Sequence, residues 1–276
     1  MKRIVTIQDI SCIGKCSLTV ALPIISATGI ETAIIPTTVL STHTAFKGYT
    51  FKDLSAEIPL IKEHWKKENF EFQAIYTGYL GNVEQIEMVK EFIQTFKTPK
   101  NLVIVDPAMA DNGKLYPGFD SEFVSKMKEL CQMADIIVPN LTEACLLLDI
   151  PYKTNYTTKE LENVLKELAK ITKKPIITDI SIKNKIGVMS YDSINKIFDS
   201  YFRTKIPVKY HGTGDVFASS LVGSIANEIS IEKSIRIATD FTWETIKETF
   251  KTHKTGYYGV DFETKLPYLI NRIKKQ

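Results

Sequence analysis

Several short stretches of this chain are apolar at all or nearly all positions, and they limit its possible folds more than any other feature. Leu102-Val-Ile-Val105 is the clearest, and Ala74-Ile-Tyr-Thr77 and Pro175-Ile-Ile-Thr178 are of similar length and kind. A strand with one wet face alternates apolar and polar residues. A strand apolar on both sides needs helices over both faces of its sheet, which is the habit of parallel sheets. Helical spacing fills the intervals: Ile86, Val89, Phe92 and Ile93 share one face, behind a cap at Asn82 with Gln85 at the third position reaching back. Repeated strand, loop, helix units imply a doubly wound, mostly parallel sheet with right-handed crossovers and helices on both faces.

The rest of the chain keeps the same rhythm. Arg3–Ile7 reads as a first strand and Ser17–Ala27 as a buried helix, with Pro23 either in its first turns or kinking it. Thr32–Ile35, extended by 36–40, is a second strand, and 41–48 is a polar loop. Helices are expected at 55–68, 119–133, 157–171, 231–250 and 262–274. Thr157 and Glu160 have the spacing of a capping box, and Ser230 is a cap for the helix after it. Ile136–Val138 is a further strand, while Gly187–Tyr191 and Lys196–Phe202 suit an antiparallel pair. With 276 residues and no repeat or linker, a single domain over 1–276 is the expectation.

Charge and composition exclude several classes. A formal charge of +3 from interspersed Lys, Arg, Asp and Glu gives no basic stripe for nucleic acid. No apolar run approaches the roughly 20 residues that span a bilayer, and residues 1–8 read as a strand, so no membrane role and a cytoplasmic location are expected. Four cysteines, Cys12, Cys16, Cys131 and Cys145, form no disulfide framework in a chain of this length. Cys12 and Cys16 lack a second pair that would complete a zinc site, and they read as spectators.

One stretch breaks the pattern. Lys209-Tyr-His-Gly-Thr-Gly-Asp-Val-Phe217 passes from extended chain to an amphipathic helix at Gly212. Gly212 and Gly214 permit a tight turn and leave amides uncovered, and the unpaired N–H groups of a helix start, with its dipole, cradle an anion. A carboxylate at Asp215 beside that cradle can cap or complement the helix. It can also serve as a base toward a hydroxyl while the amides hold a transferring phosphoryl group. In a doubly wound sheet the ligand crevice lies at the carboxyl ends of the strands. The loops there carry Asp9, Gly14, His43, Thr44, Tyr79, Asp106, Asp111, Asn140, Glu143, Thr178 and Asp215. Carboxylates crowded on one rim repel unless a cation joins them, and hard oxygen ligands suit Mg²⁺ that also holds substrate phosphates.

Taken together, these motifs resemble the ribokinase superfamily, and within it the pyridoxal kinases of vitamin B6 salvage. His211-Gly-Thr-Gly-Asp215 is similar to the superfamily's G-x-G-D, and Val105-Asp-Pro-Ala-Met-Ala-Asp-Asn-Gly-Lys-Leu-Tyr116 to D-P-x-M-x-D-x-G-x-x-Y. Val138-Pro-Asn-Leu-Thr-Glu143 resembles P-N-x-x-E, Gly78-Tyr-Leu-Gly-Asn-Val-Glu-Gln85 resembles G-Y-L-G-x-x-E-Q, and Ser41-Thr-His-Thr44 resembles S-N-H-T. The resemblance runs nearly the whole length and implies a ribokinase-like fold and ATP-dependent phosphorylation of the 5′-hydroxyl of pyridoxal, pyridoxine or pyridoxamine. It implies Asp215 as base and an anion hole from Gly212, Thr213 and Gly214. Asp106, Asp111, Asn140, Glu143 and Thr178 would serve Mg-ATP, with Asp106 and Glu143 near the metal, in part through water. Asp9, Gly14, His43, Thr44 and Tyr79 would border the vitamer. A homodimer is implied, and room is left for a monovalent cation.

Three departures qualify the carry-over. Gln8-Asp9-Ile10 stands where pyridoxal kinases begin Q-S-H, Gly14-Lys-Cys-Ser17 replaces their G-x-x-G-N, and Asp179 replaces a lysine or serine. A carboxylate at position 9 could accept from a protonated ring group or favour an aminomethyl substituent, which makes pyridoxamine a preferred-substrate hypothesis. Two rivals stand beside this reading: a hydroxymethylpyrimidine kinase of the same fold, and a vitamer-binding protein without catalysis. Asp215, where the pyrimidine kinases tend to carry Cys, and the Gly-Tyr-Leu-Gly stretch favour the B6 reading. Asp215, Glu143 and Asp106 together argue against a silent binder. The segment 252–260 is assigned no role.

Overall fold

The computed structural model describes residues 2–252 and 258–276, so most of segment 252–260 lies outside the described residues. The backbone gathers into two compact units, Met1–Tyr76 with Ile206–Gln276, and Thr77–Lys205.

The first unit opens with strand β1 (Arg3–Ser11), helix α1 (Leu18–Ala27) and strand β2 (Glu31–Leu40). Strands β1 and β2 are parallel, and their register slips between Gln8 and Ile10, where Asp9 faces a bulge. β1 is longer than its sequence suggests because this irregular end still pairs, through Ile10 with Val39 and Ser11 with Leu40. Pro23 is the sixth residue of α1, past the first turn, so the helix gives up the bond its N–H would have made to Thr19. Strand β3 (Phe51–Asp53) is antiparallel to β2, helix α2 (Glu57–Lys67) follows, and strand β4 (Ala74–Thr77) neighbours β1.

Helix α3 (Val83–Phe96) begins at Asn82, whose side chain accepts from the Gln85 N–H at 2.8 Å. Gln85 turns back as expected but to the N–H of Gly81, at 2.7 Å, one residue before the cap. The rest of the second unit is β5 (Leu102–Val105), the hairpin of β6 (Ala110–Asp111) and β7 (Lys114–Leu115), helix α4 (Ser121–Gln132), β8 (Ile136–Ile137), and helices α5 (Leu141–Leu148) and α6 (Thr158–Leu168). The strands β9 (Lys174–Ile182), β10 (Lys185–Asp192) and β11 (Ile197–Thr204) complete it. Strands β5, β8 and β9 run parallel, and β10 and β11 extend the order antiparallel, as the alternation at 187–202 predicts.

The chain then returns to the first unit with helices α7 (Thr213–Ala226) and α8 (Ile231–Thr252), a 3₁₀ turn at Glu263–Lys265, and α9 (Leu266–Lys274). Val20 and Ile24 of α1, Val216 of α7, Ile237 and Phe241 of α8, and Leu269 of α9 share one core. The amphipathic reading of α7 is corrected here: Val216 through Ser224 are all buried. Two of its three buried serines are satisfied within the helix, Ser220 and Ser224 donating to the carbonyls of Val216 and Ser220, each at 2.7 Å, while the Ser219 hydroxyl is buried with no partner among the described residues. Burying each large apolar side chain on it contributes about 2 kcal/mol, so the start of α7 is held from all sides. Among the described residues no helix is long and apolar enough to cross a membrane.

Candidate active site

In the first unit the start of α7 is the centre of the polar cluster. Gly212 is its N-cap, in the left-handed region at φ 73°, and no side chain caps the helix. The first intrahelical bond is from the Val216 N–H to the Gly212 carbonyl at 3.0 Å, so the amides of residues 213–215 precede the ladder and point out of the helix start. The two glycines differ in what holds them there. A methyl group on Gly212 would lie 1.8 Å from the Lys15 carbonyl oxygen, so backbone packing and the positive φ both require glycine. Gly214 has no such φ, and beyond its own turn of helix a methyl group there would meet no heavy atom of the described residues within 4 Å. Neither conformation nor protein packing explains a glycine at that point.

Asp215 is half-buried beside these amides. Loss of solvent pushes its carboxyl up to about 7, the Ser17 N–H that it accepts pulls the other way, and the charge of Asp9 adds to the rise. Asp9 is 4% exposed and accepts from the Ser11 hydroxyl at 3.2 Å and from the Ser17 hydroxyl. Burial raises its pKa and these bonds oppose the rise. The Cys16 thiol joins the same cluster and is pushed far up by burial, then by Asp215 and Asp9, so it stays protonated. Sequence reading set Cys16 aside as a spectator and passed over Ser11 and Ser17; the adjacency of 11–17 to Asp9 was the available signal.

His43 is buried, and its Nδ1 accepts from the Ala45 N–H at 3.3 Å. Its ring lies against that of His211, tilted by 32° with centres 5.2 Å apart, and meets Phe46 edge-on at 4.8 Å. Gly14, at φ 106°, is where the chain passes that ring: a methyl there would lie 2.2 Å from it. Thr44 is exposed in the adjoining turn. Asp9, Gly14, His43 and Asp215 thus belong to one unit.

In the second unit Asn140 and Glu143 form a reciprocal capping box at the start of α5. Glu143 does more than cap. Its Oε1 accepts from the N–H groups of Met109 and Ala110 at 3.1 and 3.4 Å, and its Oε2 from that of Asn140 at 2.8 Å. Asn140 Nδ2 donates to the Ala110 carbonyl at 2.7 Å. A buried carboxylate so bonded ties the 106–111 segment to the helix start. Burial raises its pKa against three N–H donors, and the Asp111 charge adds to the rise. Asp111 accepts from the Asn112 N–H and side-chain amide, each at 2.7 Å. Asp106 is buried at the end of β5, where its N–H donates to Thr77. Thr178 bridges to Asn140 and donates its N–H to the Pro139 carbonyl at 2.9 Å. Tyr79 packs on Phe119, ring centres 5.7 Å apart.

The expected rim of carboxylates is thus Asp9 with Asp215 in one unit and Asp106, Asp111 and Glu143 in the other. No set of three His, Cys, Asp or Glu side chains is gathered for a metal among the described residues. Asp106 and Glu143 both bear on the Cys131 thiol, and Glu143 keeps one oxygen with a single N–H donor. That donor set fits a hydrated Mg²⁺ that takes part of its shell from substrate phosphates, not a cage made by the protein.

Known proteins share this architecture. The chain resembles a pyridoxal kinase from Lactobacillus plantarum with a TM-score of 0.92 and 29% identity, covering 100% of this chain and 99% of that one. A Bacteroides thetaiotaomicron protein, provisionally assigned by name to the phosphomethylpyrimidine kinases and crystallised with pyridoxal, is 39% identical at a TM-score of 0.93, covering 97% and 95%. A hydroxymethylpyrimidine/phosphomethylpyrimidine kinase from Aquifex aeolicus is 29% identical over 209 residues, 74% of this chain and 78% of the relative. The fold is therefore the ribokinase-like, mostly parallel sheet flanked by helices, and the class is that of ATP-dependent kinases. A family model described as phosphomethylpyrimidine kinase matches residues 25–260, and the chain belongs to that family.

Proposed function

We propose that this kinase transfers the γ-phosphoryl group of ATP to the 5′-hydroxyl of a vitamin B6 vitamer. What carries the reading is the start of α7, where Gly214 leaves open space over amides outside the helix ladder, next to a carboxylate held near pH 7. A glycine that neither φ nor packing requires is explained by an anion that must come close. In this reading Asp215 takes the proton of the attacking hydroxyl, and the amides of Gly212, Thr213 and Gly214 stabilise the charge that spreads over the phosphoryl oxygens. A base with a pKa of about 7 is ionised in part at neutral pH and still strong enough to accept a proton.

To Asp106, Asp111, Asn140, Glu143 and Thr178 we assign the nucleotide. Glu143 positions the backbone of Met109 and Ala110, and with Asp106 it would hold Mg²⁺ through water. When bound, the ion would neutralise phosphate charge. To Gly14, His43, Thr44 and Tyr79 we assign the vitamer, with His43 held by its ring contacts with His211 and Phe46. Asp9 spends two acceptor sites on serine hydroxyls, which leaves it able to accept a further bond from an aminomethyl group. A homodimer in the cytoplasm, with a monovalent cation as activator, completes the proposal.

A second reading has support of its own, since the family model and the Aquifex aeolicus relative carry pyrimidine names. ADP release with ATP, Mg²⁺ and a panel of pyridoxal, pyridoxine, pyridoxamine and hydroxymethylpyrimidine separates the two. The B6 reading expects the highest kcat/KM with a vitamer. Turnover confined to the pyrimidine would replace it, and no turnover with any alcohol would remove both.

A further inference from the structure

Lys15, in the loop between β1 and α1, is held at its side chain, its N–H and its carbonyl. The ammonium donates to Asp261 Oδ1 and Glu263 Oε2, each at 2.8 Å, and lies 5.8 Å from the centre of the Phe262 ring. The N–H donates to the Tyr258 carbonyl at 3.1 Å. The backbone is wedged between two glycines: a methyl on Gly259 would lie 2.6 Å from the Lys15 Cβ, and one on Gly212 would lie 1.8 Å from its carbonyl oxygen. Both glycines have positive φ, 117° and 73°. An exposed lysine contributes little through an ion pair, but only 16% of this side chain is exposed, and it meets two acids brought from the far end of the chain.

Those acids are themselves fixed. Apolar and acidic residues alternate over 260–263, so Val260 and Phe262 enter the core of α1, α7, α8 and α9 while Asp261 and Glu263 turn to Lys15. The Asp261 N–H donates to the hydroxyl of Thr249 at 2.8 Å, which ties the segment to the last turn of α8. The stretch 258–263 therefore closes on Lys15 from one side. On the other side the Lys15 carbonyl abuts the N-cap of α7.

We propose that Lys15 is a positioning residue for the phosphoryl transfer: its ion pairs with Asp261 and Glu263 hold its backbone carbonyl against Gly212, and so fix the turn from which the amides of residues 213–215 project. The inference rests on the reading of those amides as the anion hole, and it gives 258–263 a function as the anchor of that turn. The ammonium is committed to two carboxylates, so its part lies in holding the backbone and not in meeting the phosphate. An anion hole works because its donors are in place before charge develops, and a displacement of about 1 Å in such a group can cost roughly 10²-fold.

The test is steady-state kinetics of the wild type, Lys15→Met, the acid pair variant Asp261→Asn with Glu263→Gln, and all three changes combined. Each is assayed with ATP, Mg²⁺ and the best alcohol substrate, at a temperature below the melt of every protein. Methionine keeps the packing of the stem without the charge, and Lys15→Met is expected to lower kcat about tenfold with KM for ATP and for the alcohol little changed. The acid pair variant, which leaves Lys15 intact, should lose as much, and the combined variant no more than either, because all of them break one latch. A folded Lys15→Met with wild-type kcat and only a lowered Tm would overturn the inference, as would losses that multiply in the combined variant. If Lys15→Met does not fold, the acid pair variant decides alone, and a wild-type kcat there overturns it. Gly214→Ala keeps the two levels apart: unchanged turnover there removes the anion hole itself, whereas lost turnover beside an unaffected Lys15→Met removes only the role of Lys15.

Discussion

Replacing Gly214 with alanine separates the cost of a side chain to the fold from its cost to the ligand. At this position φ is ordinary and a methyl meets no heavy atom of the described residues within 4 Å beyond its own helical turn. Alanine is favoured over glycine in a helix by up to about 1 kcal/mol, so Gly214→Ala is expected to raise Tm, by about 2 °C for a chain of this size. If the open space is where a phosphoryl group meets the amides of α7, the same methyl pushes that group off at least one donor. Loss of one such donor costs about 3 kcal/mol of transition-state stabilisation, or about 10²-fold in kcat. Gly212→Ala is the contrast. Its methyl would lie 1.8 Å from the Lys15 carbonyl at φ 73°, so it should destabilise by about 3 kcal/mol whatever the ligand does. Thermal melts of both variants, with ADP release by Gly214→Ala, make the measurement. A Gly214→Ala protein with unchanged melting and unchanged kcat/KM would refute the argument that this space is kept for an anion.

Asp215→Asn should lower kcat by about 10² or more while the dissociation constant for ATP changes little, as measured by steady-state kinetics and calorimetry. Because Asp215 acts ionised and its pKa is pushed up to about 7, kcat/KM should fall as pH drops below about 7, and a profile flat down to pH 5 would contradict its role as base. Glu143→Gln preserves shape but sets an NH₂ against at least one of the three backbone N–H donors, and an unmatched buried donor costs about 2 kcal/mol. Urea unfolding should register that loss; a variant as stable as the wild type would show that the carboxylate is not what binds 109–110 to α5.

The parts of the structure that were legible in advance depend on neighbours in sequence. The caps at Asn82 and Thr157 are bonds across three residues, and side-chain chemistry determines them wherever the helix lies. The antiparallel pair β10 and β11 was visible because a short turn sets its register. β3 was missed: its three residues are exposed and carry no alternation, and pairing with β2 makes them a strand. The amphipathic reading of α7 failed because small polar residues, which look solvent-facing on a helical wheel, can be buried when they bond to their own helix.

The sequence by itself determined the layered architecture, the helix boundaries and the glycine turn that ends in Asp215, because periodicity and local hydrogen bonding decide those within a few residues. Tertiary structure alone decided that Gly212 is held by packing while Gly214 is not, that Glu143 ties one loop to a helix start, and that the Asp9 charge bears on Asp215. Each of these is a relation between segments far apart in the chain. The charge state of a buried acid depends on which distant groups folding brings to it, and no local pattern in the sequence records them.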